Sequence, residues 1–156
     1  MRRRLALYGD RILGRLIKRL LGVLRRTDPD RASDFCGRMA RRIGPWLPAH
    51  RTGRTNLKAA FPDRDEAWIE ATLRDAWENL GRVAGEYVHL ARLWDYDPAH
   101  PNTGRIRTDN EPLFRQLQDD GQPALCFAAH LGNWELPAVA AAAHGLPSAV
   151  VYRMPN

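Results

Sequence analysis

The stretch PALCFAAHLGNWELPAVAAAAHGLPSAVVY, Pro123–Tyr152, decides how this chain is expected to fold. Pro123–Ala129 is a compact apolar run bounded by turn-forming residues, the pattern of a buried strand. His130-Leu131-Gly132 then turns the chain. Asn133 stands where it can cap a helix through about Ala143, with Pro137 still in the tolerated first turn. Gly145-Leu146-Pro147 ends that helix, and Ser148–Tyr152 reads as a second strand. Strand, helix and strand at this spacing predict a βαβ unit in a parallel sheet, and so an α/β fold class.

Upstream of this unit, Asn110 is expected to cap a helix over about Glu111–Gln118 that Asp119-Asp120-Gly121 ends. Gly104–Thr108 has the length of a short edge strand, and Pro98–Asn102 is a polar linker. Before the linker a long helix is expected from about Glu66 to Trp94. Its seam is read through Trp77, Leu80, Ala84, Tyr87, Ala91 and Trp94, in alternating steps of three and four. Gly81 and Gly85 lie inside it although glycine costs a helix up to about 1 kcal/mol against alanine, which close approach of another helix would explain. Arg51–Ala60 reads as a short helix. Another runs from near Asp30–Ser33 through Phe35, Met39 and Ile43 to the stop at Gly44-Pro45.

The first 26 residues read as one amphipathic helix. Leu13, Ile17, Leu20 and Leu24 form its apolar stripe, and Arg11, Arg15 and Lys18 take another face. Charges interrupt it too often for a conventional membrane span of about 20 apolar residues. Two readings stand: a helix lying in a membrane interface, or a helix packed on the protein's own core. The chain is thus expected to comprise a basic amphipathic helix (1–26), a helical part (27–97) and the first βαβ portion of a sheet-based core (98–156).

Charge follows the same division. The 156 residues carry a net charge of +6, but residues 1–58 hold sixteen Lys/Arg against four Asp/Glu, while residues 59–156 hold eight against fourteen. A basic front half points to an anionic partner, or simply to a solvated arginine-rich face. Two cysteines, Cys36 and Cys126, are too few for a disulfide framework.

His130 and Glu135 are the candidate chemistry. On a continuous helix positions five apart diverge, but the Gly132 turn would let Glu135 fold back toward the imidazole. A carboxylate on one ring nitrogen fixes the tautomer and leaves the other nitrogen as a general base. From spacing alone, the same two residues could merely cap the helix. Cys126 lies four strand residues from His130, about 13 Å, too far for a nucleophile–base pair, and reads as a small core residue. The remaining histidines (His50, His89, His100, His144) sit at no metal-ligand spacing, so neither a metal nor a cofactor is expected. The base would then act on a hydroxyl of the substrate.

His130-Leu131-Gly132-Asn133-Trp134-Glu135 resembles the His-x4-Asp/Glu motif of glycerolipid-type acyltransferases, and most closely the lipid A biosynthesis lauroyl/myristoyl acyltransferases. Arg54-Thr55-Asn56-Leu57 with Ala60-Phe61-Pro62 is similar to that family's Asn-Leu…Ala-Phe-Pro segment. Glu78-Asn79-Leu80-Gly81-Arg82 with Glu86-Tyr87 is similar to its helix before the linker. The resemblance implies a helical N-terminal part followed by the start of a glycerolipid-acyltransferase-like sheet with helices packed on it. It further implies an enzyme on the cytoplasmic face of the bacterial inner membrane, in contact with anionic lipids. There it would move a fatty acyl group from acyl carrier protein to a hydroxyl of a lipid A precursor. His130 would be the general base and Glu135 its orienting partner. Asn133 and Arg153 would contact substrate, Arg153 near a phosphate or else as an ordinary surface arginine.

The family's chain is about twice as long, so this one is expected to be its N-terminal portion and inactive alone. An acceptor other than a lipid A precursor, such as another glycolipid or a lysophospholipid, remains open. So does a non-catalytic basic module binding membrane or nucleic acid, although no nucleic-acid-binding motif is present and no such partner is expected.

Overall fold

The computed structural model describes residues 14, 15, 17–97, 99, 100, 103–108, 111–129 and 131–151, with the side chains of Glu111 and Phe114 excepted. The start of the expected N-terminal helix, the Asn110 cap, His130, Tyr152 and Arg153 lie outside the described residues. The chain divides into two compact units, Met1–His89 and Leu90–Asn156.

In the first unit, residues 17–26 are helical (α1). At their end the Thr27 hydroxyl donates back to the carbonyls of Val23 (2.9 Å) and Leu24 (3.0 Å). Asp28 then opens α2 (Pro29–Ile43). Its carboxylate accepts the backbone N–H groups of Asp30 and Arg31, and Pro29 supplies a first-turn residue that has no N–H to satisfy. A 3-10 turn, Gly44–Trp46, leads to α3 (Pro48–Ala60), again with proline at its start. Asp65 caps α4 (Glu66–Glu86) by accepting from Trp68 N at 2.8 Å. A 3-10 turn at Tyr87–His89 closes the unit, so the single helix expected over Glu66–Trp94 is interrupted there.

The unit is held by the antiparallel pairing of α2 with α4. A row at four-residue spacing is buried or half-buried on α4: Ile69, Leu73, Trp77, Gly81, Gly85, and then His89 beyond its end, with Leu73 toward Gly53 of α3 and Gly81 and Gly85 against α2. Such i, i+4 rows are the ridges by which helices interlock. At Gly81 a side chain would meet the Cys36 carbonyl oxygen at 2.4 Å and Ala40 Cβ at 2.5 Å, so the backbones touch where glycine leaves room. The close approach expected of Gly81 and Gly85 is therefore present. The expected seam is not: Leu80, Ala84 and Tyr87 are exposed. It followed the large apolar residues, whereas the buried row is completed by small ones. Ion pairs border the contact, with Arg41 on Asp75 and Glu78, and Arg82 on Asp34 and Glu78.

The second unit contains α5 (Leu90–Leu93), α6 (Glu111–Asp119) and α7 (Leu136–Ala143). Here the expected fold class is overturned. Among the described residues the chain is helical only, with no strand and no sheet, so the α/β class with the start of a glycerolipid-acyltransferase-like sheet does not hold. Residues 121–129 and 146–151 form no ladder, and Leu125 and Phe127 are 88% and 94% exposed. Cys126, expected in the core, is exposed with them. An apolar run states what a strand would bury, but a strand exists only where another backbone takes its hydrogen bonds. Gly104–Thr108 is no strand either. Its Arg105 and Ile106 amides donate to the Asp95 carboxylate, at 2.8 and 3.2 Å, which replaces a ladder by a side-chain clasp.

Candidate active site

The alanine-rich sequence of α7 favours a helix, since alanine carries the least cost of helix formation, and Pro137 is tolerated in its first turn. The segment entering it carries the candidate chemistry. Leu131 N donates to Ala129 O at 2.8 Å, and Gly132 sits at φ +62°, a left-handed conformation that side-chain-bearing residues rarely adopt. Asn133 Oδ1 then accepts from Glu135 N at 3.3 Å, and Leu136 N donates to the Asn133 carbonyl at 3.3 Å. The helix proper begins after Glu135, whose carbonyl accepts from Ala138 N and Val139 N at 3.1 Å each.

Glu135, not Asn133, is thus the capping residue. It caps with its backbone, and its carboxylate makes no capping hydrogen bond to the helix. The structure brings Asn133 and Glu135 together on one side of the Gly132 turn. His130 and Arg153, the other two candidate residues, lie outside the described residues.

The far end of α7 is fixed by partners that sequence reasoning missed. Trp94 meets the His144 ring edge-on with centroids 5.7 Å apart, and Gln118 Nε2 donates to the His144 carbonyl at 2.8 Å. The second of these satisfies one of the carbonyls left over at a helix end. Trp94 was legible as an apolar position but not as the side chain that holds α7. Among the described residues no three His, Cys, Asp or Glu side chains are placed to hold a metal ion.

A family model described as bacterial lipid A biosynthesis acyltransferase matches residues 5–156. The chain belongs to that family. It is therefore placed among enzymes, as an acyltransferase of lipid A biosynthesis. Neither a search of curated proteins nor one of solved structures gave a significant match. Among the described residues of this acyltransferase no helix is long and apolar enough to cross a membrane.

Among the described residues the acyltransferase contains a histidine–glutamate pair on α3 and α4, which its sequence spacing concealed. His50 on α3 reaches Glu70 Oε2 with Nε2 at 3.1 Å, and Trp77 Nε1 donates to His50 Nδ1 at 3.2 Å. An indole N–H can only donate, so Nδ1 is the acceptor nitrogen and the ring proton of the neutral imidazole sits on Nε2, toward Glu70. A general base needs its acceptor nitrogen open to substrate. That of His50 is occupied by Trp77, so this pair ties α3 to α4 and has no free base to offer.

Proposed function

We propose that this acyltransferase moves a fatty acyl group from acyl carrier protein to a hydroxyl of a lipid A precursor, at the cytoplasmic face of the inner membrane. The family membership supports acyl transfer in lipid A biosynthesis. The observation that supports the residue assignment is the turn entering α7, where Gly132 has positive φ and Glu135 stands at the start of the helix.

In this reading His130 takes the proton of the acceptor hydroxyl, and Glu135 orients and polarises the imidazole. The oxygen attacks the carbonyl carbon of the donor thioester and forms a tetrahedral oxyanion. As that intermediate collapses, the carbon–sulfur bond breaks and the leaving thiolate takes the proton back from His130. No acyl-enzyme is formed, so no enzyme nucleophile is required. Asn133 and Arg153 contact substrate, Arg153 through a phosphate, and the basic segment of residues 1–26 lies against anionic lipids.

The test is incubation of the protein, in a chain of the length its family has, with acyl-carrier-protein thioester and either a lipid A precursor or a lysophospholipid, with product masses read by mass spectrometry. Acylation of the lipid A precursor, with Glu135→Gln slowed, is expected. Acylation of the lysophospholipid alone would move the assignment to another acceptor.

A further inference from the structure

The face of α2 that meets α4 carries Ser33, Gly37, Ala40 and Arg41, all buried or half-buried. A quarter-turn and more around the same helix, Phe35, Met39 and Ile43 recur every fourth residue and remain about two-fifths to one-half exposed. The row continues into the 3-10 turn, where Trp46 is 82% exposed and Leu47 lies beside it. Trp46 and Leu47 also form, with His50, Arg51 and Arg54, the wall of an open cleft of about 500 Å³.

The charges around this row are sorted. Asp34 pairs with Arg82, Arg41 with Asp75 and Glu78, and Arg54 with Glu66 and Glu70. Among the described residues of α2 and α3, these ion pairs leave out the exposed Arg31, Arg42 and Arg51. An apolar ridge ending in an exposed tryptophan, with unpaired guanidinium groups beside it, matches the layered chemistry of a bilayer interface. There indole rings favour the headgroup level and arginines favour lipid phosphates.

We propose that this elbow between α2 and α3, with Trp46 as its anchor and Arg42 and Arg51 beside it, docks on an anionic lipid surface. It is a second membrane contact, separate from the basic segment of residues 1–26. It shares with the proposed function only the premise that the enzyme works at a membrane.

The full chain is mixed with phosphatidylcholine vesicles with or without phosphatidylglycerol, and the bound fraction is read by flotation. Wild type is expected to bind the anionic vesicles preferentially. Trp46→Ser, at a side chain too exposed to support the fold, should weaken binding several-fold with an unchanged circular dichroism spectrum. Arg42→Gln and Arg51→Gln should each weaken it by about fivefold, the effect of one basic residue near an anionic surface. Unchanged binding in all three variants overturns the proposal, whatever Leu20→Ser in α1 does. Equal binding to both vesicle types overturns it too. Acyl transfer to a detergent-dispersed acceptor is measured in parallel, in a chain of the family's length, and should persist in Trp46→Ser. Failure of that transfer in wild type would count against the proposed reaction and leave the vesicle result to stand by itself.

Discussion

The indole N–H of Trp77 donates to Nδ1 of His50 at 3.2 Å, while the other ring nitrogen of His50 faces Glu70 at 3.1 Å. One histidine thus joins two residues of α4 to α3, with both ring nitrogens engaged. Replacing it by alanine leaves a half-buried donor and an acceptor without their partner, at a cost of about 1–3 kcal/mol. His50→Ala should lower the urea midpoint accordingly, yet the folded variant should keep its acyl-transfer rate. A loss of rate without a loss of stability would make His50 part of the chemistry.

Gly81 touches the backbone of α2, and a methyl group there has nowhere to go. Gly81→Ala is expected to destabilise the first unit by about 1–3 kcal/mol, as overpacking does. A methyl group on Gly22 in α1 would meet nothing within 4 Å. Gly22→Ala should therefore be neutral or stabilising by up to about 1 kcal/mol through helix propensity. Thermal unfolding of the two variants should move in opposite directions or, at least, only Gly81→Ala should lower Tm.

The two cysteines differ in reactivity. Burial against the α2–α4 contact raises the Cys36 thiol above its ordinary pKa, whereas Cys126 is exposed. Thiolate is the reactive form, so Cys126 should alkylate first at pH 8 and Cys36 only slowly. Peptide mapping after limited iodoacetamide treatment reads the order directly. Faster labelling of Cys36 would contradict the packing described for α2.

The Asp95 clasp sets a pH dependence. Hydrogen bonds from the Arg105 amide, then the Ile106 amide, hold the Asp95 carboxyl below its ordinary pKa, helped by the Arg105 charge. A carboxylate with a depressed folded pKa contributes stability that is present above its unfolded value, about 3.9, and lost as pH falls through the folded one. Exchange protection at Arg105 and Ile106, taken relative to the intrinsic rate at each pH, should therefore hold at pH 6 and fall only as the pH drops below the ordinary carboxyl value of about 3.9 toward the lower folded one. Asp95→Asn should remove most of that pH dependence.

Much of the helical organisation was legible because it is punctuated. The stop of α2 at Gly44-Pro45, the end of α3 at Ala60 and the start of α4 at Glu66 stand where they were expected, whereas the Asp28 cap starts α2 at Pro29 rather than near Asp30–Ser33 and α3 starts at Pro48 rather than Arg51. The α4 seam was misjudged because helix pairing here uses Gly81 and Gly85, which hydrophobicity cannot single out. The sheet was misjudged for a different reason. Residues 123–129 and 148–151 have strand composition, but pairing is a long-range property that composition does not carry, and they remain exposed and unladdered. At the site, the Gly132 turn was expected and is present, while the cap moved from Asn133 to Glu135. The His50–Glu70–Trp77 link was hidden because its members lie on two helices, at no motif spacing.

The central claim is that His130 is the base of the acyl transfer. The most direct measurement is the single-turnover rate of transfer from acyl-carrier-protein thioester to a lipid A precursor, in wild type, His130→Ala and His50→Ala proteins of the family's chain length and matched folded fraction. Loss of about 10²–10⁴-fold in His130→Ala, with His50→Ala near the wild-type rate, is the predicted result. A His130→Ala rate within a few-fold of wild type would contradict the account.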